Sequence, residues 1–155
     1  MASIENFPQN LLDEHAEWHR NMRMDDFRAG DGLDFLQFHR DFLRKSLRWY
    51  RNQGLDTRLV QPWRAIPSDL KNHPRWGREL LEAENRIVNS PESFRSSDEL
   101  GIYLQSTSLH DAVHVLGAEV YNDPDFSLIF LSPRSTYFYN WHGLIDQWYS
   151  NVEHL

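Results

Sequence analysis

Two histidine pairs stand at four-residue spacing in this chain, His15 with His19 and His110 with His114. Chance placement of 8 histidines in 155 positions gives on average only about 0.4 such pairs. Four residues is close to one helical turn, so each pair presents both imidazoles on one face, roughly 5–6 Å apart at Cβ. Taken alone, such a pair fits a hydrogen-bonded core as well as it fits a metal. Two further histidines, His39 and His142, fall inside the apolar faces of other helical segments, and the chain therefore offers two sets of three. Three neutral imidazoles per site, with no carboxylate or thiolate at the matching positions, favour copper or zinc over magnesium, calcium or manganese. A carboxylate-bridged di-iron bundle would need Glu-x-x-His pairs, which this sequence lacks, and a zincin would need the Glu of H-E-x-x-H where Asp111 and Ala16 stand. A two-copper centre is the best chemical match. His73 reads as a loop histidine and His154 as a terminal surface residue.

The bulk composition narrows the field further. Lys+Arg 16 against Asp+Glu 23 gives a net charge of −7, which argues against nucleic acid and against an anionic membrane surface as partners. There is no cysteine, so disulfides, thiolate metal sites, iron–sulfur clusters and cysteine nucleophiles are excluded. The N-terminal stretch has no basic segment followed by an apolar core, and no run approaches the ~20 apolar residues of a membrane span. The expectation is a cytoplasmic protein. At 155 residues the chain has the size of one domain with one core.

The elements that must carry the histidines follow from periodicity and punctuation. A first helix is predicted from about Asn10 to Met24, with Gly30 and Gly32 marking the break after it. A second begins near Asp31 or Asp34, carries His39 among Phe35, Leu36, Phe42 and Leu43, and stops at Gly54. Residues 61–74 hold three prolines and read as loop, followed by a third helix in WGRELLEAENRIVN. Ser97 is placed to cap a short helix through Leu104, Thr107 or Ser108 to cap the one bearing His110 and His114, and Gly117 lies near its end. The run LIF in YNDPDFSLIFLSP is either a small strand or buried loop. Pro133 then opens a last helix with Phe138, His142, Ile145 and Tyr149 on one face. The chain reads as mainly α.

Three of these segments resemble the type-3 copper proteins, the family of tyrosinases, catechol oxidases and hemocyanins. FLQFHRDFL is similar to the family's F-L-x-[WF]-H-R-x-[FY]-L, LHDAVH to its H-x-x-x-H, and SPRSTYFYNWHGLIDQWY to its S-P-x-D-P-x-F-x-x-[WH]-H-x-x-[IV]-D-x-x-W. The resemblance implies a four-helix-bundle core with long irregular loops over residues 1–155 and two copper ions as cofactor. It assigns His39 to copper A and His110, His114 and His142 to copper B. His15 and His19 take the remaining copper A positions, because the loop RMDDFRAGDGLD, where tyrosinases usually place a ligand, has no histidine. Departures are confined to the loops and the site rim. Ser135-Thr136 replaces the D-P before the last ligand helix, and Asp111 stands where many tyrosinases have Asn.

The function that the resemblance implies is a copper-dependent oxidoreductase using O2 to hydroxylate or oxidise a phenol, catechol or aminophenol, or a tyrosine in a peptide. The alternative is an O2- or copper-binding protein of hemocyanin kind without turnover. Expected partners are dioxygen and a small phenolic or arylamine substrate, with a second copy of the chain as a possible dimer partner. Asp111 is either a base that accepts a substrate proton or a carboxylate that holds a ligand imidazole by its second nitrogen. Phe138 either lines the substrate entrance or packs in the core. Asp146 is expected to orient a ligand imidazole, and Arg40 to form an ion pair.

Overall fold

The computed structural model describes residues 2–155. Its seven helices are α1 (Gln9–Asn21), α2 (Asp31–Asn52), α3 (Ser68–Lys71), α4 (Arg78–Asn89), α5 (Ser97–Ser106), α6 (Leu109–Val120) and α7 (Thr136–Glu153). Among the described residues there is no strand, only an isolated bridge between Ser3 and Ser135. The LIF run is thus neither strand nor helix and sits between two 3-10 turns, Pro124–Ser127 and Ser132–Arg134. No helix among the described residues is long and apolar enough to cross a membrane.

Glycine plays two roles that sequence punctuation does not separate. Gly30 is in the left-handed region (φ 97°) and begins α2, whereas Gly32 lies inside that helix. A Cβ on Gly32 would sit 2.0 Å from the carbonyl oxygen of Asp98, and one on Gly101 would sit 2.1 Å from the carbonyl oxygen of Gly32. The two glycines therefore let α2 and α5 cross backbone to backbone, and Gly32 is not the break expected of it. The Asp98 carboxylate then accepts from the N–H groups of Gly30 (3.0 Å) and Leu33 (2.9 Å), a cap supplied to α2 from α5. Gly117 likewise does not end α6. It makes room for Phe126, whose Cε2 would lie 2.5 Å from an added Cβ.

Other helix ends differ from expectation by one to three residues. The first helix stops at Asn21, with Met22 already extended (φ −105°, ψ 155°). Ser96 rather than Ser97 caps α5, its hydroxyl accepting from Glu99 N–H at 3.2 Å. The α5–α6 junction is a two-residue turn in which Thr107 Oγ1 accepts from Leu109 N–H and Ser108 takes a positive φ of 65°. Pro133 belongs to a 3-10 turn, and the cap of α7 is Ser135, which accepts from Tyr137 N–H. A short helix, α3, interrupts the loop expected over residues 61–74.

Two apolar clusters form the interior. The larger gathers Phe35, Leu100, Leu104, Leu109, Trp141 and Trp148, and the smaller gathers Ile4, Leu11, Phe42, Phe138 and Tyr139. The histidine rings lie on the seam between them: His110 packs edge-on to Phe35 of the first cluster, and His15 to Phe138 of the second.

Candidate metal centre

Each triad combines one histidine pair from one helix with a single histidine from another. On α1, His15 and His19 project from one face toward His39 of α2, and on α6, His110 and His114 project toward His142 of α7. Within each triad the three ligand nitrogens lie within 4.8 Å of one another. In the first, His15 Nε2 and His19 Nε2 are 3.1 Å apart. In the second, Nε2 of His114 lies 3.1 Å from that of His110 and 3.2 Å from that of His142, with 3.4 Å between the other two. The triads face each other through their single histidines: His39 and His142 are stacked, ring centroids 4.5 Å apart and planes 9° from parallel.

The opposite edge of four of the rings shows why their Nε2 atoms point inward, while His142 Nδ1 is buried without a partner. A carbonyl or carboxylate oxygen can only accept, so an imidazole nitrogen facing one carries the proton and the other nitrogen keeps its lone pair. His15 Nδ1–H donates to the carbonyl of Ile129 (3.0 Å), His39 to that of Phe35 (2.8 Å) and His114 to that of Phe126 (2.8 Å). His110 Nδ1 faces the Asp111 carboxylate at 3.2 Å. The Nε2 atoms of His110 and His114 thus confront each other lone pair to lone pair, which is repulsive unless a cation lies between them. A proton is disfavoured in that role, because burial, reinforced by His110, pushes His114 down to about 3. Burial pushes His19 down to about 4 and holds His15, His39 and His142 well below the usual imidazole range. His39 Nε2 is buried with no hydrogen-bond partner, an orphan acceptor of the kind a metal ion satisfies. Six imidazole nitrogens with no carboxylate among them suit a borderline cation such as copper or zinc.

A cleft of about 270 Å³ opens onto His15, His19, His110 and His114, while His39 and His142 lie behind them. Trp18, Phe27 and Asp111 are among the residues that line it. The Asp111 side chain is 70% exposed, and the ring proton of His110 holds its carboxyl below the ordinary carboxylate range. This is the geometry of a group that steadies a ligand imidazole while still facing the cleft.

Of the two readings of Phe138 the structure takes core packing, and the role expected of Asp146 fails. Phe138 is wholly buried and does not line the cleft; its ring lies against His142 (centroids 4.3 Å apart) and His15 (5.3 Å), and it wedges the two triads together as packing. Asp146 does not orient an imidazole. It accepts from Arg40 Nε at 2.6 Å, in an ion-pair group that includes Glu153 and Ser150, because one turn beyond His142 the helix faces α2 rather than the triad. Arg40 is the ion-pair residue expected of it. His73, read as an idle loop residue, bonds Glu119 at 3.1 Å, and His154 is exposed. The backbone carbonyls of Phe35, Phe126 and Ile129 escape sequence reading entirely, since any residue carries one.

The chain matches no protein-family model, no curated protein and no solved structure.

Proposed function

We propose that the chain is a copper-dependent oxidoreductase that uses O2 on a small phenol, catechol or aminophenol, with one copper ion held by His15, His19 and His39 and a second by His110, His114 and His142. On this reading α1, α2, α6 and α7 correspond to the ligand-bearing four-helix bundle of type-3 copper proteins. The observation that carries it is the pair of facing all-imidazole triads, joined by the His39–His142 stack. Copper in this setting supplies O2 binding and one-electron redox change.

The residues of the chain contribute the rest. Phe35, Phe126 and Ile129 hold ligand tautomers through their carbonyls, so the donor set is built before the metal arrives. Phe38, Phe42 and Phe138 close the inner side against water. A cleft of about 270 Å³ beside the triads, with Trp18 and Phe27 in its lining, gives a substrate room there, which favours turnover over simple O2 carriage. The test is a metal count per chain on protein from copper-supplemented cells, combined with O2-uptake assays across phenols and arylamines. Two copper ions per chain and substrate-dependent O2 consumption are expected. A single tightly held zinc ion and no uptake with any phenol or arylamine would overturn the proposal.

A further inference from the structure

The chain has no cysteine, and its soft donors are methionine thioethers alone. The two methionines among the described residues, Met22 and Met24, both line the cleft that opens onto the triads. Met24 is 74% exposed, so its thioether is open to solvent. Met22 is half-buried, and its N–H donates to the carbonyl of His19 at 3.3 Å. Its backbone is extended (φ −105°, ψ 155°), and Met22, Arg23 and Met24 follow one another along the cleft lining. Arg23 between them has its guanidinium drawn off to Asp31 at 3.2 Å. Asp111 is the one acidic residue in the cleft lining.

We propose that Met22 and Met24 form an uptake site for Cu(I), which receives the ion at the mouth of the cleft and passes it inward to His19 and the triads. Thioethers are soft, neutral ligands that select Cu(I) over harder ions. The two sulfurs can therefore hold the ion without retaining it against three imidazoles. The transfer is ligand exchange: a Cu–S bond breaks as a Cu–N bond forms, copper stays Cu(I), and no electron or proton moves. The site lies outside both triads, and its role as an uptake site rests on the dicopper reading above.

The experiment uses metal-free full-length protein under anaerobic conditions, with Cu(I) supplied from a coloured chelator. Two measurements are made: the rate and final amount of copper taken up, and the 13C-labelled methionine ε-methyl signals during titration, with the metal-free spectrum as the reference. The methyl signals of Met22 and Met24 are expected to shift with the first additions of Cu(I). Uptake by the M22L/M24L variant is expected to be about tenfold slower, with the same final two ions per chain. Leucine conserves volume, and the methyl measurement is made on the unmutated chain, so neither depends on a variant that fails to fold. Unmoved methyl signals, or equal uptake rates in variant and parent, would overturn the proposal while leaving the dicopper reading intact. Shifted methyl signals with no copper reaching the histidines would overturn both the dicopper reading and the role in uptake.

Discussion

An imidazole binds a metal through whichever nitrogen its surroundings leave unprotonated, so the small contacts behind the ligands decide the donor set. Asp111 is the most informative of these, because its carboxylate both accepts from His110 Nδ1 and faces the cleft. Replacing Asp111 with Asn keeps an acceptor oxygen but removes the charge. Copper affinity, measured by chelator competition, is expected to fall by about tenfold with the helical fold unchanged. A normal affinity with a lowered turnover rate would instead make Asp111 a base for substrate. Asp146 offers the contrasting case. Its partner is Arg40, so Asp146→Asn is expected to leave the copper count unchanged and to cost on the order of 1 kcal/mol in urea unfolding, the scale of a partly exposed ion pair.

At the scale of elements, each triad draws on its own pair of helices, α1 with α2 and α6 with α7. The two sites are therefore separable: His39→Ala and His142→Ala are each expected to lower the copper count from two to one, read by native mass spectrometry. What ties them is the chain between Phe126 and Ser132, which gives one carbonyl to His114 and another to His15. The Gly32–Gly101 crossing sets the height of α2 against α5. Gly101→Ala would drive a methyl into the backbone of Gly32, and a loss of about 3 kcal/mol is expected in equilibrium unfolding. The helices themselves were largely legible, because α2, α4, α6 and α7 announce themselves by apolar periodicity. Their joins were not: a glycine that breaks a helix and a glycine that admits a neighbouring backbone look alike in a sequence, yet Gly30 and Gly54 are of the first kind and Gly32 of the second.

For the whole molecule, five buried or half-buried imidazoles with lowered basicity make the metal-free fold acid-sensitive. Unfolded, these histidines take up protons as pH falls through about 6.5; folded, they do so only at much lower pH, His19 near 4 and His114 near 3. Between these limits the unfolded state binds more protons, so stability falls as pH falls. The urea midpoint of the metal-free protein is expected to drop between pH 7.5 and pH 5, and bound copper, which holds the same nitrogens, to flatten that dependence until acid displaces it. The sequence by itself determined which residues were available: no cysteine, six histidines at helical positions, and spacings that place His15 with His19 and His110 with His114 on common faces. Those are properties of composition and of the helical repeat, which act locally. Only the tertiary structure decided that His39 and His142 stack across the two triads, that Phe138 packs behind the rings and lies outside the cleft, and that Asp146 turns to Arg40. Each of these depends on how one helix is rotated against another, and that rotation is set by packing and backbone contacts between residues far apart in the chain.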